Sequence, residues 1–88
     1  MNDAELLAII AQAEREGWQT LNLSEKKLKT IPEMIRKLTN LKILDLSHNQ
    51  ITAIPDAITQ LSNLTWLDLG YNQITAITDA IKSLTKLQ

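Results

Sequence analysis

The sequence has no cysteine, no phenylalanine and no valine, and holds only two glycines, two prolines and one histidine among its 88 residues. Without cysteine there is no disulfide framework, and a lone histidine cannot build a zinc cage, so no metal site is expected. The two glycines, Gly17 and Gly70, stand too far apart to form a G-x-x-x-x-G-K-[ST] phosphate cradle, and no nucleotide cofactor is expected. Charge of one sign is missing as well. Nine Lys and Arg against ten Asp and Glu leave a net charge of −1, without the basic footprint of a nucleic-acid binder. No run of ~18 apolar residues could cross a bilayer, and neither end carries a lipidation motif. The opening Met1-Asn2-Asp3-Ala4-Glu5 is acidic where a secretory signal is basic. These absences lead to the expectation of a cytoplasmic protein with neither nucleic acid nor membrane among its partners.

Leucine and isoleucine, by contrast, are abundant. Apolar residues make up 44% of the chain, and 15 Leu and 11 Ile carry most of that share. With 22% charged residues, the composition is that of a soluble globular domain. At this length a domain buries a smaller share of its apolar surface, so the aliphatic side chains must be placed economically.

The first 17 residues read as one capped helix. Asn2 is suited to the N-cap, Glu5 three residues later to a capping box, and Gly17 to the left-handed position that ends a helix. On a helical wheel Leu6, Leu7, Ile9, Ile10 and Ala13 gather on one side, with Gln12, Arg15 and Glu16 opposite. Arg15 is the helix's only basic residue, which argues against a membrane-surface role and for packing against the rest of the chain.

From Trp18 onward the sequence repeats every 23 residues, in units 18–40, 41–63 and 64–86, with 87–88 opening a fourth. Leu21, Leu44 and Leu67 share a column, as do Leu23, Leu46 and Leu69. Further columns are Leu28, Ile51, Ile74, then Ile31, Ile54, Ile77, then Ile35, Ile58, Ile81, then Leu38, Leu61, Leu84. Residues 41–63 and 64–86 agree at 14 of 23 positions, which requires an internal repeat. In Leu44-Asp45-Leu46 and Leu67-Asp68-Leu69 the alternation sends leucines inward and aspartates outward, as in a short strand. Asn49 and Asn72 stand where the chain leaves that strand, and their amides can satisfy backbone groups that lose ladder partners. Pro32 and Pro55 start the return path, where a fixed φ suits a first helical turn. Ile58 and Leu61 then face inward from a helical or 3₁₀ segment. No unit buries its leucines alone, so the units must stack.

The stretch from Leu41 to Ile51, L-K-I-L-D-L-S-H-N-Q-I, succeeded by I-P-D-A-I-T-Q-L over Ile54 to Leu61, resembles the 23-residue leucine-rich repeats of bacterial proteins. With the acidic helix and Glu16-Gly17-Trp18-Gln19-Thr20-Leu21-Asn22-Leu23-Ser24, the chain is similar to the N-terminal region of cyanobacterial Roco-type proteins. The resemblance implies an α/β fold: a short right-handed solenoid with a concave parallel sheet and an N-terminal capping helix. The Roco likeness implies a GTPase domain on other sequence, for which this chain would be a regulatory fragment. Some positions depart from the pattern. Lys26 stands where the later units have Asn49 and Asn72, Thr78 replaces the proline, and Lys86 replaces the asparagine of Asn40 and Asn63.

In such proteins the concave face binds partners, and the period places Ile43, Asp45, Ser47, His48, Trp66, Asp68 and Tyr71 there. Trp66 beside Ile43, with Tyr71 nearby, has the character of an interface anchor. Asp45 and Asp68 should stand side by side and repel, a local cost that a basic partner group could relieve. No third ligand or nucleophile accompanies them. His48 next to Ser47 makes no triad, because no carboxylate is set to orient the ring, so no catalytic residue is expected. The last coil would present Leu67, Leu69, Ile74, Ile77, Ile81, Leu84 and Leu87 together with an unpaired strand edge. The expectation is therefore a non-enzymatic protein-interaction module that also self-associates, as a homodimer, through its C-terminal coil.

Overall fold

A computed structural model describes residues 1–75. Helix α1 spans Asp3–Glu16. After it come β1 (Thr20–Asn22), a first 3₁₀ segment (Glu33–Lys37), β2 (Ile43–Asp45), a second 3₁₀ segment (Asp56–Gln60) and β3 (Trp66–Asp68). No helix among the described residues is long and apolar enough to cross a membrane.

The ends of α1 are built as the sequence suggests. The Asn2 side chain accepts the Glu5 N–H at 2.8 Å, a cap contributing about 1 kcal/mol. Gly17 adopts φ 64°, and its N–H and that of Trp18 close onto the carbonyls of the last turn. Leu6, Ile10 and Ala13 are buried, one residue per turn along a single line. Leu7, expected on the same stripe, is instead 38% exposed. It lies about 100° round the helix from Leu6, where the first coil covers it only in part.

Each of the first two coils then runs strand, turn, extended segment and 3₁₀ segment, and the third is described through its strand and the turn after it. The three strands form one parallel sheet in the order β1-β2-β3. Its register matches the 23-residue columns: Thr20, Ile43 and Trp66 pair in turn, as do Leu21, Leu44 and Leu67, and then Asn22, Asp45 and Asp68. The approach to the strands repeats too. The Gln19 carbonyl receives the N–H groups of Lys42 and Ile43, and one coil later the Lys42 carbonyl receives those of Thr65 and Trp66.

The return path is 3₁₀ because its apolar residues are three apart. Side chains at i and i+3 eclipse in a 3₁₀ turn, so Ile35 with Leu38, and Ile58 with Leu61, enter the core together. Pro32 and Pro55 sit just outside these segments with ψ near 150°, not inside the first turn as expected, and each lends its carbonyl to the adjoining turn. Their fixed φ suits extended backbone equally well. The core is one continuous cluster from Leu6 of α1 to Leu67 of β3, with Ile9, Trp18, Met34, Leu69 and Ile74 half-buried against it.

Candidate functional site: the outer face of the sheet

Alternation along the strands sends the leucines into the core and leaves two rows of side chains on the opposite face. One is Thr20, Ile43 and Trp66; the other is Asn22, Asp45 and Asp68. Ile43 is 39% exposed, and Trp66, expected as an exposed anchor, is half-buried beside it. A pair of large apolar side chains thus lies in register on an otherwise polar surface.

The second row is organised by the turn after each strand. Asn22 Oδ1 accepts both the backbone N–H and the hydroxyl of Ser24, at 2.9 and 2.7 Å. Asp45 Oδ1 does the same with Ser47, at 2.9 and 2.6 Å. Asp68 Oδ1 takes the Gly70 N–H at 2.8 Å. The expected side-by-side pair of aspartates is therefore present in register, but each carboxylate has one oxygen turned onto its own turn. That use of the aspartates escaped the sequence reading, although an Asx residue two positions before Ser or Gly in every unit was visible. Ser47, counted among the contact residues, is buried with its hydroxyl held by Asp45. It supports the turn and presents no free group to a partner.

The next position, Glu25, His48 or Tyr71, is left-handed in all three coils, with φ of 56° to 57°. Non-glycine residues adopt this conformation at a cost, which the surrounding turn must offset. It throws the side chains outward in a third row. The His48 and Tyr71 rings stack at 4.3 Å and 8°, leaving Tyr71 80% exposed. His48 is exposed at the turn, with its ring on Tyr71.

The asparagine after this turn joins adjacent coils. Asn49 Oδ1 accepts from Lys26 N and Leu28 N, and its Nδ2 donates to the carbonyls of Leu23, Leu46 and Ser47, all within 2.9–3.2 Å. Asn72 repeats this one coil on, accepting from Ile51 N and donating to the carbonyls of Leu46, Leu69 and Gly70. The amide thus serves the preceding coil as well as its own turn. The first coil has no coil before it, so Lys26 can stand there, its own N–H taken by Asn49.

Of the residues expected along the C-terminal edge, Leu67 is buried, because it points inward from β3 in register with Leu44. Leu69 and Ile74 are half-buried. Ile77, Ile81, Leu84 and Leu87 lie outside the described residues. Two depressions flank α1. One, of about 170 Å³, is lined by Asp3, Leu6, Leu7, Thr30 and Pro32; the other, of about 190 Å³, lies between Gly17, Trp18 and Lys37 to Asn40. No group of three or more metal-binding side chains occurs among the described residues.

A family model described as "Leucine rich repeat" matches residues 39–88. Among solved structures, the chain is similar to a leucine-rich repeat protein of Leptospira interrogans, with 29% sequence identity and a TM-score of 0.54 over 89% of this chain. That alignment covers 26% of the Leptospira chain, so the present chain spans about a quarter of its length. No curated protein matches.

Proposed function

Because the chain belongs to the leucine-rich repeat family, whose members serve as protein-interaction modules, we propose that it binds a protein partner through the outer, concave face of its sheet. The observation that carries this reading is the Ile43–Trp66 pair, in register on adjacent strands, with Ile43 exposed and Trp66 half-buried on a polar face. Large aromatic side chains half-buried at the centre of a patch supply much of the binding energy at protein interfaces. The sheet beneath is fixed by backbone ladders and by Asn49 and Asn72, so little ordering accompanies binding.

A second reading, self-association through the third coil, is favoured by Leu69 and Ile74. Both are half-buried, whereas Leu46 and Ile51 at the same positions of the second coil are fully buried. One experiment separates the two surfaces. Trp66→Ala should weaken a partner isolated with the wild-type chain roughly 30-fold, the equivalent of about 2 kcal/mol. Light scattering on the same samples should show the wild-type solution mass retained. Undiminished binding would remove the outer face from the interaction, and dissociation of an oligomer by this substitution would merge the two surfaces into one.

A further inference from the structure

The turn after each strand needs an oxygen acceptor two residues before Ser24, Ser47 or Gly70, and nothing more. Asn22 meets that need in the first coil with a neutral amide, making the same two hydrogen bonds that the Asp45 carboxylate makes in the second. The negative charges of Asp45 and Asp68 are therefore surplus to the fold. They are also costly, since the two residues pair in register on parallel strands about 5 Å apart. Each uses Oδ1 for its turn, and no cation donates to either carboxylate among the described residues. With Glu25, the three outward rows carry three acidic side chains and no lysine or arginine, on a chain whose net charge is only −1.

The surplus charge lies beside aromatic surface. Trp66 and Asp68 point outward from the same strand two residues apart, a step of about 6.6 Å. Tyr71 comes next, at the turn, with one ring face on His48 and most of its surface open. An arginine side chain fits this order: its three methylenes can cover the Trp66 ring while the guanidinium reaches the Asp45 and Asp68 carboxylates. Lysine offers a point charge without the planar fork or the stacking surface. Resting on the concave-face reading above, we infer that the partner is a protein segment bearing an exposed arginine. Its guanidinium is taken between Asp45 and Asp68, and its stem lies on Trp66.

The test is an NMR titration of the ¹⁵N-labelled full chain at low salt with acetyl-Gly-Arg-Gly-amide, and with its lysine, citrulline and leucine counterparts. The arginine peptide should move the Trp66 indole N–H and the amides of Asp45, Asp68, Gly70 and Tyr71, binding several-fold more tightly than lysine, with citrulline weakest of the planar pair. Asp68→Asn and Asp45→Asn keep the turn acceptor, as Asn22 does, so both should fold; each should weaken the arginine peptide about 5-fold. Lysine binding as tightly as arginine, or an Asn variant binding undiminished, would overturn the inference. A leucine peptide that shifts Trp66 as strongly would also overturn it while leaving the concave-face reading intact. Shifts confined to other parts of the molecule, with partner binding indifferent to Trp66→Ala, would overturn both.

Discussion

Leu23 and Leu69 occupy the same position in the coils on either side of the middle one, yet they differ in burial. Leu23 is 2% exposed, almost as closed as Leu46 between them, whereas Leu69 is only half-buried. The strand sequences are nearly the same: Leu21-Asn22-Leu23 against Leu67-Asp68-Leu69. The difference lies in their neighbours. The first coil joins the Leu6, Ile10 and Ala13 line of α1 in one core cluster, so its leucines are covered from both sides. A repeat therefore specifies which side chains point inward, and the adjacent elements decide how far water is excluded from them.

That contrast is broken most directly at Ile10, which is fully buried in α1. Ile10→Ala should cost about 2–4 kcal/mol, through lost transfer energy and the cavity left behind. Ile74→Ala, at a half-buried position of the third coil, should cost less than about 1.5 kcal/mol, because fewer atoms leave water there. Urea denaturation of the two variants beside the wild type measures both. Equal losses would mean that the helix contributes no more than any surface methylene, and that the burial of the first coil has another source.

The difference between the ends also marks how far the sequence could be read. The 23-residue period set the sheet register residue for residue, since one repeat brings the chain back to the same point of the next coil. The I-x-x-L spacing carried the return path for the same geometric reason. Hidden from that reading were groups whose partners depend on backbone direction at the strand ends. Asp45 and Asp68 look like a free acidic pair in the sequence, but the turn aims the N–H groups two residues on at one oxygen of each. Ser47 looks like a contact residue until its hydroxyl is seen bound to Asp45. Leu7 falls within the apolar arc of the wheel, yet coverage by the first coil is narrower than that arc.

The same turn offers a gain in the less covered coil. Gly70 stands where the other coils have Ser24 and Ser47, and its φ is not in the left-handed region. The atom nearest an added Cβ is Asp68 Oδ1 at 3.1 Å, the acceptor that the serine hydroxyls reach in the first two coils. Gly70→Ser should stabilise the protein by about 0.5–1 kcal/mol, through a new hydrogen bond and a less flexible unfolded chain. Thermal unfolding should register this as a rise of about 2–8 °C. A fall would mean that the close approach of Cβ to the carboxylate outweighs the bond, and that the third turn differs from the other two.

The smallest effect belongs to the covered end and concerns how Trp18 is held. Its indole N–H donates to Glu16 Oε1 at 3.0 Å, and Gln12 donates to the other carboxylate oxygen at the same distance. The Trp18 bond first, then the Gln12 bond, hold the Glu16 carboxyl below the usual glutamate range against an upward push from desolvation, with the Arg15 charge the smallest contribution. A carboxyl lowered on folding stabilises the folded state at pH above its unfolded value, and that contribution is lost as pH falls through the lowered folded value. Glu16 is fully exposed and solvent screens its interactions, so overall stability should barely change. The Trp18 indole N–H resonance is the sensitive readout: it should titrate with a midpoint below the ordinary glutamate value, and Trp18→Phe should return the Glu16 carboxyl toward that value. An indole resonance that stays still through the acid range would show that Trp18 is placed by its packing against the core alone, with the carboxylate merely tracking the ring.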